Sequence, residues 1–283
     1  MRTEVYPTPA AALDRVCVRY GNVEALHDAT LEIPLGVSVA VIGPNGSGKS
    51  TLLGVLSGLI AATTGSARVL GEPAPPRHGR VAHVLQSTSV RPEVPITVGE
   101  TVRLGTYAEL GLLRRPNARL RERVASALAR LRITDLVGRQ LSELSGGQRQ
   151  RVLIAQGLVQ DAELLLLDEP VAGLDVTSQR IINDVVREER DRGRTVITTT
   201  HDIGAASRAD LVVLVATEVV AFGTPDDVLT PDHLSRAFGG HLHMLPDGTL
   251  VLDDPAHHGT PPAPHVETFD HAHHHSDGDA VSG

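Results

Sequence analysis

The sequence predicts an α/β fold in which helices cover a parallel sheet, with an antiparallel β portion before it and a helical portion inserted into it. Three observations lead there. Aromatic residues make up 2% of the chain and tryptophan is absent, so the core must be built from Val, Leu, Ile and Ala, as suits a sheet buried on both faces. Val37–Ile42 and Leu164–Leu167 are continuous apolar runs rather than alternating ones, the pattern of strands with no solvent face. The first run leads into a glycine-rich loop and then an apolar helix.

Taken in order, Val16–Tyr20 and Ala29–Ile33 alternate apolar and polar residues around a Gly21-Asn22 turn and read as half-exposed antiparallel strands. Val37–Ile42 is the first core strand. Leu52–Leu59 is the buried helix after the loop, and Val81–Leu85 is a second core strand. From about Arg91 to Arg139 the texture is helical. Leu120, Val124, Leu128 and Leu131 supply an inward face, and many arginines, Arg119, Arg121, Arg123 and Arg130 among them, read as a solvated face or one turned to lipid or a partner. Leu164–Leu167 ends in two acids, helix Ser178–Arg192 closes at Gly193, and strand Thr195–Thr200 ends at His201. Val212–Val215 and Val219–Phe222 form a last hairpin.

Lys49 is the single lysine in a chain with 26 Lys and Arg together. It lies in Gly43-Pro44-Asn45-Gly46-Ser47-Gly48-Lys49-Ser50-Thr51, a phosphate loop: backbone N–H groups surround phosphates, the lysine offsets their charge and the Ser50 hydroxyl reaches Mg²⁺. Lysine is a compact point charge where arginine is a bulkier fork, which explains one ammonium kept among arginines. Asp168-Glu169 follows the four leucines. A carboxylate at a core strand's C-terminal end can hold Mg²⁺ through water, and its neighbour can orient or deprotonate an attacking water; the alternative is a helix cap. Leu144-Ser145-Gly146-Gly147-Gln148-Arg149-Gln150-Arg151 opens a helix with a serine and two glycines, a second place suited to an anion. The simplest use for it is a nucleotide held by another copy of the chain.

With these motifs in this order, residues 12–238 resemble the ATPase subunits of ABC transporters. The resemblance implies a P-loop NTPase with a RecA-like parallel-sheet core, an antiparallel β subdomain and an inserted α-helical subdomain at about 90–155, within an ATPase domain spanning 12–240. It implies that Tyr20 stacks on adenine, that Gln86 contacts Mg²⁺ and water, and that Ser50 and Asp168 also serve Mg²⁺. By the same resemblance Glu169 would act as general base, and His201 would hold the γ-phosphate and the water. The resemblance also implies that Ser145, Gly146, Gly147 and Gln148 act in trans as the signature loop of a homodimer and that Asp175 lies in a dimer-contact loop. Val171 departs from the family, where Thr or Ser is more usual. The partners implied are integral membrane permease subunits and, indirectly, an extracytoplasmic metal-binding protein. The stretches Ala221–Thr230 and Ala237–Leu242 resemble the C-terminal end of zinc/manganese importer ATPases. That makes zinc the first expected cargo and manganese the second. The alternatives are a soluble ABC-type ATPase uncoupled from transport, an importer for another substrate, or a metal-storage protein with a regulatory ATPase portion.

Nine of 14 histidines lie after Gly240, and the tail 241–283 carries seven acids and no Lys or Arg, leaving residues 1–240 almost neutral in a chain of net charge −8. Nothing in that balance points to nucleic acid. The tail reads as largely disordered. His257, His258, His265, His271, His273, His274 and His275 can bind Zn²⁺ weakly, with binding fading as pH falls through about 6; an idle solvated tail is the other reading. The N-terminus lacks a signal-peptide pattern, and the best apolar run, Leu211–Phe222, is too short to span a bilayer. A cytoplasmic protein, peripheral on the inner face of the membrane through its permease, is expected. The one cysteine, Cys17, reads as a small buried hydrophobe.

Overall fold

In the computed structural model, which describes residues 8–77, 79–85, 95–110, 117–239, 242–244 and 250–252, the elements follow the predicted order. They are β1 Ala11–Tyr20, β2 Val23–Ile33, β3 Ser38–Ile42, α1 Lys49–Ser57, β4 Thr64–Val69, β5 Glu72–Pro73, β6 Val81–Val84, α2 Val98–Leu104, α3 Tyr107–Leu110 and α4 Ala118–Arg130. Then come α5 Gly146–Val159, β7 Leu164–Leu167, α6 Val176–Asp191, β8 Thr195–Thr200, α7 Ile203–Ala206, β9 Leu211–Ala216, β10 Glu218–Gly223, α8 Pro225–Val228, α9 Pro231–Phe238 and the pair β11 Leu242–Met244 and β12 Leu250–Leu252. Gln86 and the tail histidines from His257 onward lie outside the described residues.

The main sheet has the order β10-β9-β3-β8-β7-β6. β6, β7, β8, β3 and β9 run parallel, and β10 closes the edge antiparallel to β9. A second, antiparallel sheet has the order β2-β1-β4-β5. In β7 the four leucines split by the strand period of two. Leu164 and Leu166 join a core with α1 and the antiparallel sheet, while Leu165 and Leu167 join another with α2, α4, α5 and α6. The helix of the phosphate loop and the helix of the signature loop therefore lie on opposite faces of one sheet.

Two expectations are corrected. Cys17 is not a buried hydrophobe: it is half-buried between the inward-facing Val16 and Val18, and its Sγ accepts the Asp28 N–H at 3.3 Å. Nor are the α4 arginines uniformly a solvated face. Arg123 pairs with Glu109 at 2.6 Å and donates to the Val159 carbonyl, and Arg130 reaches Glu188 and Glu189 of α6, each at 2.7 Å. Their partners lie far away in sequence, so helical periodicity gives no sign of them.

Glu189 is fully buried and receives Arg130 of α4 at 2.7 Å, Arg192 at 3.0 Å and Arg194. Removing the carboxylate leaves three guanidinium groups facing one another, and a broken buried pair costs about 3 kcal/mol or more. Glu189→Ala is expected to lose stability of that order in urea unfolding; a change below about 1 kcal/mol would show the cluster to be solvated.

Candidate nucleotide-binding and hydrolysis site

The parallel strands deliver their functional residues to one edge. β3 runs into Gly43–Gly48, β8 ends before His201, and β7 ends before Asp168 and Glu169. Since β8 lies between β3 and β7, the glycine loop, the histidine and the two acids form a row at the strands' carboxyl ends, where open α/β sheets bind ligands.

The loop is shaped by glycines with left-handed backbone, Gly46 at φ +78° and Gly48 at φ +99°. A side chain on Gly48 would collide with the Ala25 carbonyl of β2, so this position needs glycine on both counts. Thr217 donates to the Ser47 carbonyl at 2.8 Å, and His27 donates to the Thr217 carbonyl at 2.7 Å, bracing the loop from outside. Lys49 is 6% exposed and its Nζ donates to the carbonyls of Gly43 and Pro44, each at 2.9 Å. Gly48→Ala is expected to cost at least about 2 kcal/mol, from strain and collision together, read as a lower Tm; an unchanged Tm would mean that the loop has room to move.

The loop fits a triphosphate by its donor set. The buried Ser47 Oγ finds no hydrogen-bond partner among the described residues, a group that an incoming anion would satisfy. Asn45, Gly46 and Ser50 are exposed beside it, and Thr51 is buried in the first turn of α1. Tyr20 is 51% exposed at the end of β1, open to an aromatic ligand.

The acid pair is held by a residue that sequence reasoning missed. Thr199 of β8 is fully buried, its hydroxyl donates to Asp168 Oδ1 at 2.6 Å, and Thr199 Oγ1 accepts the Glu169 N–H at 2.7 Å. One hydroxyl thus fixes both acids. Glu169 has φ +45°, a conformation non-glycine residues rarely take and one that clusters at functional sites. Asp168 is 5% exposed and Glu169 half-buried. Beneath them His83 accepts or donates at Ser57 Oγ, 2.9 Å away; burial pushes its pKa down against the opposing pull of Asp168. His201 is exposed at the strand end.

The signature loop is built separately. Ser145 caps α5 in a reciprocal box, accepting the Gln148 N–H at 3.3 Å while Gln148 Oε1 accepts the Ser145 N–H at 3.0 Å. Gly146 faces open space, whereas a Cβ on Gly147 would meet Ser178 Oγ at 2.5 Å. Gly147 is therefore required by packing inside the chain. Asp175 caps α6, accepting the Ser178 N–H at 2.9 Å and the Ser178 hydroxyl at 2.7 Å, and these bonds hold its carboxyl below the usual range. Helices α5 and α1 pack on opposite faces of the sheet, and the signature loop lies against Asp175 and Ser178.

Strand, glycine loop, helix and a paired acid on the next strand but one define a phosphate-loop ATPase. Residues 26–172 match the model of the ABC transporter family, and the chain belongs to that family as one of its ATPases. It is 36% identical over 240 residues to the manganese transport system ATP-binding protein MntB of Bacillus subtilis, covering 84% of this chain and 96% of that protein. It is 38% identical over 253 residues to the zinc transport system ATP-binding protein TroB of Treponema pallidum, covering 88% and 95%. Among solved structures it is similar to cbiO1 of Clostridium perfringens, part of the ABC transporter complex cbiONQ, with TM-score 0.67 and 27% identity over 81% of this chain and 94% of that one. ATPases of such transport systems bind nucleotide with Mg²⁺ and pair with a membrane permease. Among the described residues, no helix is long and apolar enough to cross a membrane.

Proposed function

We propose that this chain is the ATP-hydrolysing subunit of an importer for divalent metal ions, zinc first and manganese second. Relatives named for manganese and for zinc transport and the C-terminal stretches Ala221–Thr230 and Ala237–Leu242 support the cargo class. The working unit is residues 12–240, with a helical subdomain at about 90–155 that receives the permease. The protein is peripheral on the inner face of the membrane through that permease, and an extracytoplasmic metal-binding protein feeds the other side. Nucleic acid has no part in it.

The observation that supports a site shared between two copies is the pair of opposed faces. The signature helix cannot fold back onto the phosphate loop of its own chain, because the sheet stands between them. Two copies placed head to tail complete two sites. Each ATP lies in the Gly43–Thr51 loop of one chain, with Tyr20 against the adenine, and is covered by Ser145, Gly146, Gly147 and Gln148 of the other. Asp175, held rigid by Ser178, sits at the contact.

On nucleotide arrival Lys49 Nζ turns from the Gly43 and Pro44 carbonyls to phosphate oxygens, and Ser47 Oγ, which has no partner among the described residues, gains one. Ser50, Asp168 and Gln86 would hold Mg²⁺, which would supply positive charge against the phosphates. Glu169 accepts a proton from water as the water oxygen bonds to the γ-phosphorus; the bond to the β–γ bridging oxygen breaks and ADP leaves with the electron pair. His201 holds the γ-phosphate and the water. The tail histidines would bind Zn²⁺ weakly.

Uptake of radiolabelled zinc and manganese by cells lacking the protein, with and without complementation, tests the cargo. Zinc uptake restored by the wild-type chain and not by Glu169→Gln is the expected result. Unaltered uptake of both metals in the deletion strain would overturn metal import while leaving the ATPase reading intact.

A further inference from the structure

The chain's one thiol sits beside a histidine and a carboxylate outside the nucleotide site. Cys17, Glu24 and His27 each offer a ligand atom, and these atoms all lie within 4.8 Å of one another. We propose that they form a binding site for a zinc-class divalent ion, with one coordination position left to solvent.

The backbone is irregular in the way such a site needs. Glu24 and His27 are three apart on β2, and a regular strand would send them to opposite faces. The register of β1 against β2 slips twice here: Val16 faces Ala29, Val18 faces Leu26 and Arg19 faces Glu24. Each slip adds a residue to β2, and Asp28 takes φ +46° at the first. Bulges of this kind re-aim side chains, and these bring Glu24 and His27 to the face that carries Cys17, while Leu26 and Ala29 stay in the core.

The donors match the ion. His27 Nδ1 and Glu24 Oε2 are 3.2 Å apart. Ligand atoms around one tetrahedral zinc stand about 3.3–3.6 Å apart, given bonds of about 2.0–2.3 Å. The nitrogen and oxygen are thus nearly in place, and a rotation of the thiol closes the set. Arg19 Nε and Nη2 hold the other carboxylate oxygen, Glu24 Oε1, at 3.0 Å each, leaving Oε2 to the ion. Three ligands of mixed softness select zinc-like ions over Mg²⁺, and the open position suits an exchangeable ion rather than a structural one. The position matters for the ATPase: the His27 N–H bonds to the Thr217 carbonyl and the Thr217 N–H to that of Ser47, two hydrogen bonds from the phosphate loop.

Cobalt(II) titration of the full-length protein tests this, because any thiolate-to-cobalt charge-transfer band must come from Cys17, the chain's one cysteine; the tail histidines give no such band. The expected result is a saturable band that is absent in Cys17→Ser and shifted to more than about tenfold higher cobalt in both Glu24→Gln and His27→Gln, since losing even an outer partner of a metal ligand costs about 10–100-fold. Zinc should slow alkylation of Cys17 in the wild type and not in those two variants. No band at excess cobalt, or a band unmoved in both variants, would overturn the site.

Discussion

Glu169→Gln is expected to bind ATP-Mg²⁺ and to lower the turnover rate by about 10²–10⁴-fold, the contribution of a placed general base. The substitution keeps the volume and removes the group that takes the proton. The backbone around it should hold, because the N–H bond of residue 169 to Thr199 Oγ1 and the bond of its carbonyl to the Ala172 N–H do not involve the side chain. Steady-state phosphate release checks the rate, and nucleotide binding checks that the site is whole. A variant that turns over within threefold of the wild type would take Glu169 out of the base role.

Lys49→Ala is the second large expected effect. The ammonium is buried and donates to Gly43 and Pro44 carbonyls, so its loss removes both the phosphate's counter-charge and a clamp on the loop. Charged hydrogen bonds of this kind contribute about 1.5–3 kcal/mol each, which is roughly a 10–100-fold weaker ATP affinity. Calorimetric titration with ATP-Mg²⁺ reads it directly, and an unchanged affinity would contradict the assignment of the phosphate loop. An amine-selective reagent adds an independent check, since Lys49 is the single lysine: ATP-Mg²⁺ should protect it from labelling.

The phosphate loop and the acid pair were legible in the sequence because their chemistry is local. A glycine spacing and a strand that ends in Asp168-Glu169 need no knowledge of what lies across the sheet. Thr199 was not legible, because its role depends on β8 lying beside β7, and a threonine in a Thr-rich strand reads as strand propensity alone. Cys17 was misread because a lone cysteine was taken for a core residue, whereas the alternation of β1 sets it opposite the buried Val16 and Val18. Arg123 and Arg130 were read as solvated because helical periodicity locates the apolar stripe and not the acids of another helix. Gly147 was assigned to anion approach, and its own-chain neighbour Ser178 supplies a packing reason as well. The other misses sit where a tertiary neighbour, rather than the residue's own segment, decides what the side chain does.

Most of the proposed mechanism rests on a nucleotide shared between two copies. The measurement that tests it most directly is the solution mass of Glu169→Gln with saturating ATP-Mg²⁺, by light scattering, with and without Ser145→Arg added. The account predicts a dimer with ATP, a monomer without it, and loss of the dimer when the arginine blocks the serine-glycine turn. A protein that stays monomeric with ATP bound, even with its permease supplied, or a dimer indifferent to Ser145→Arg, would contradict it.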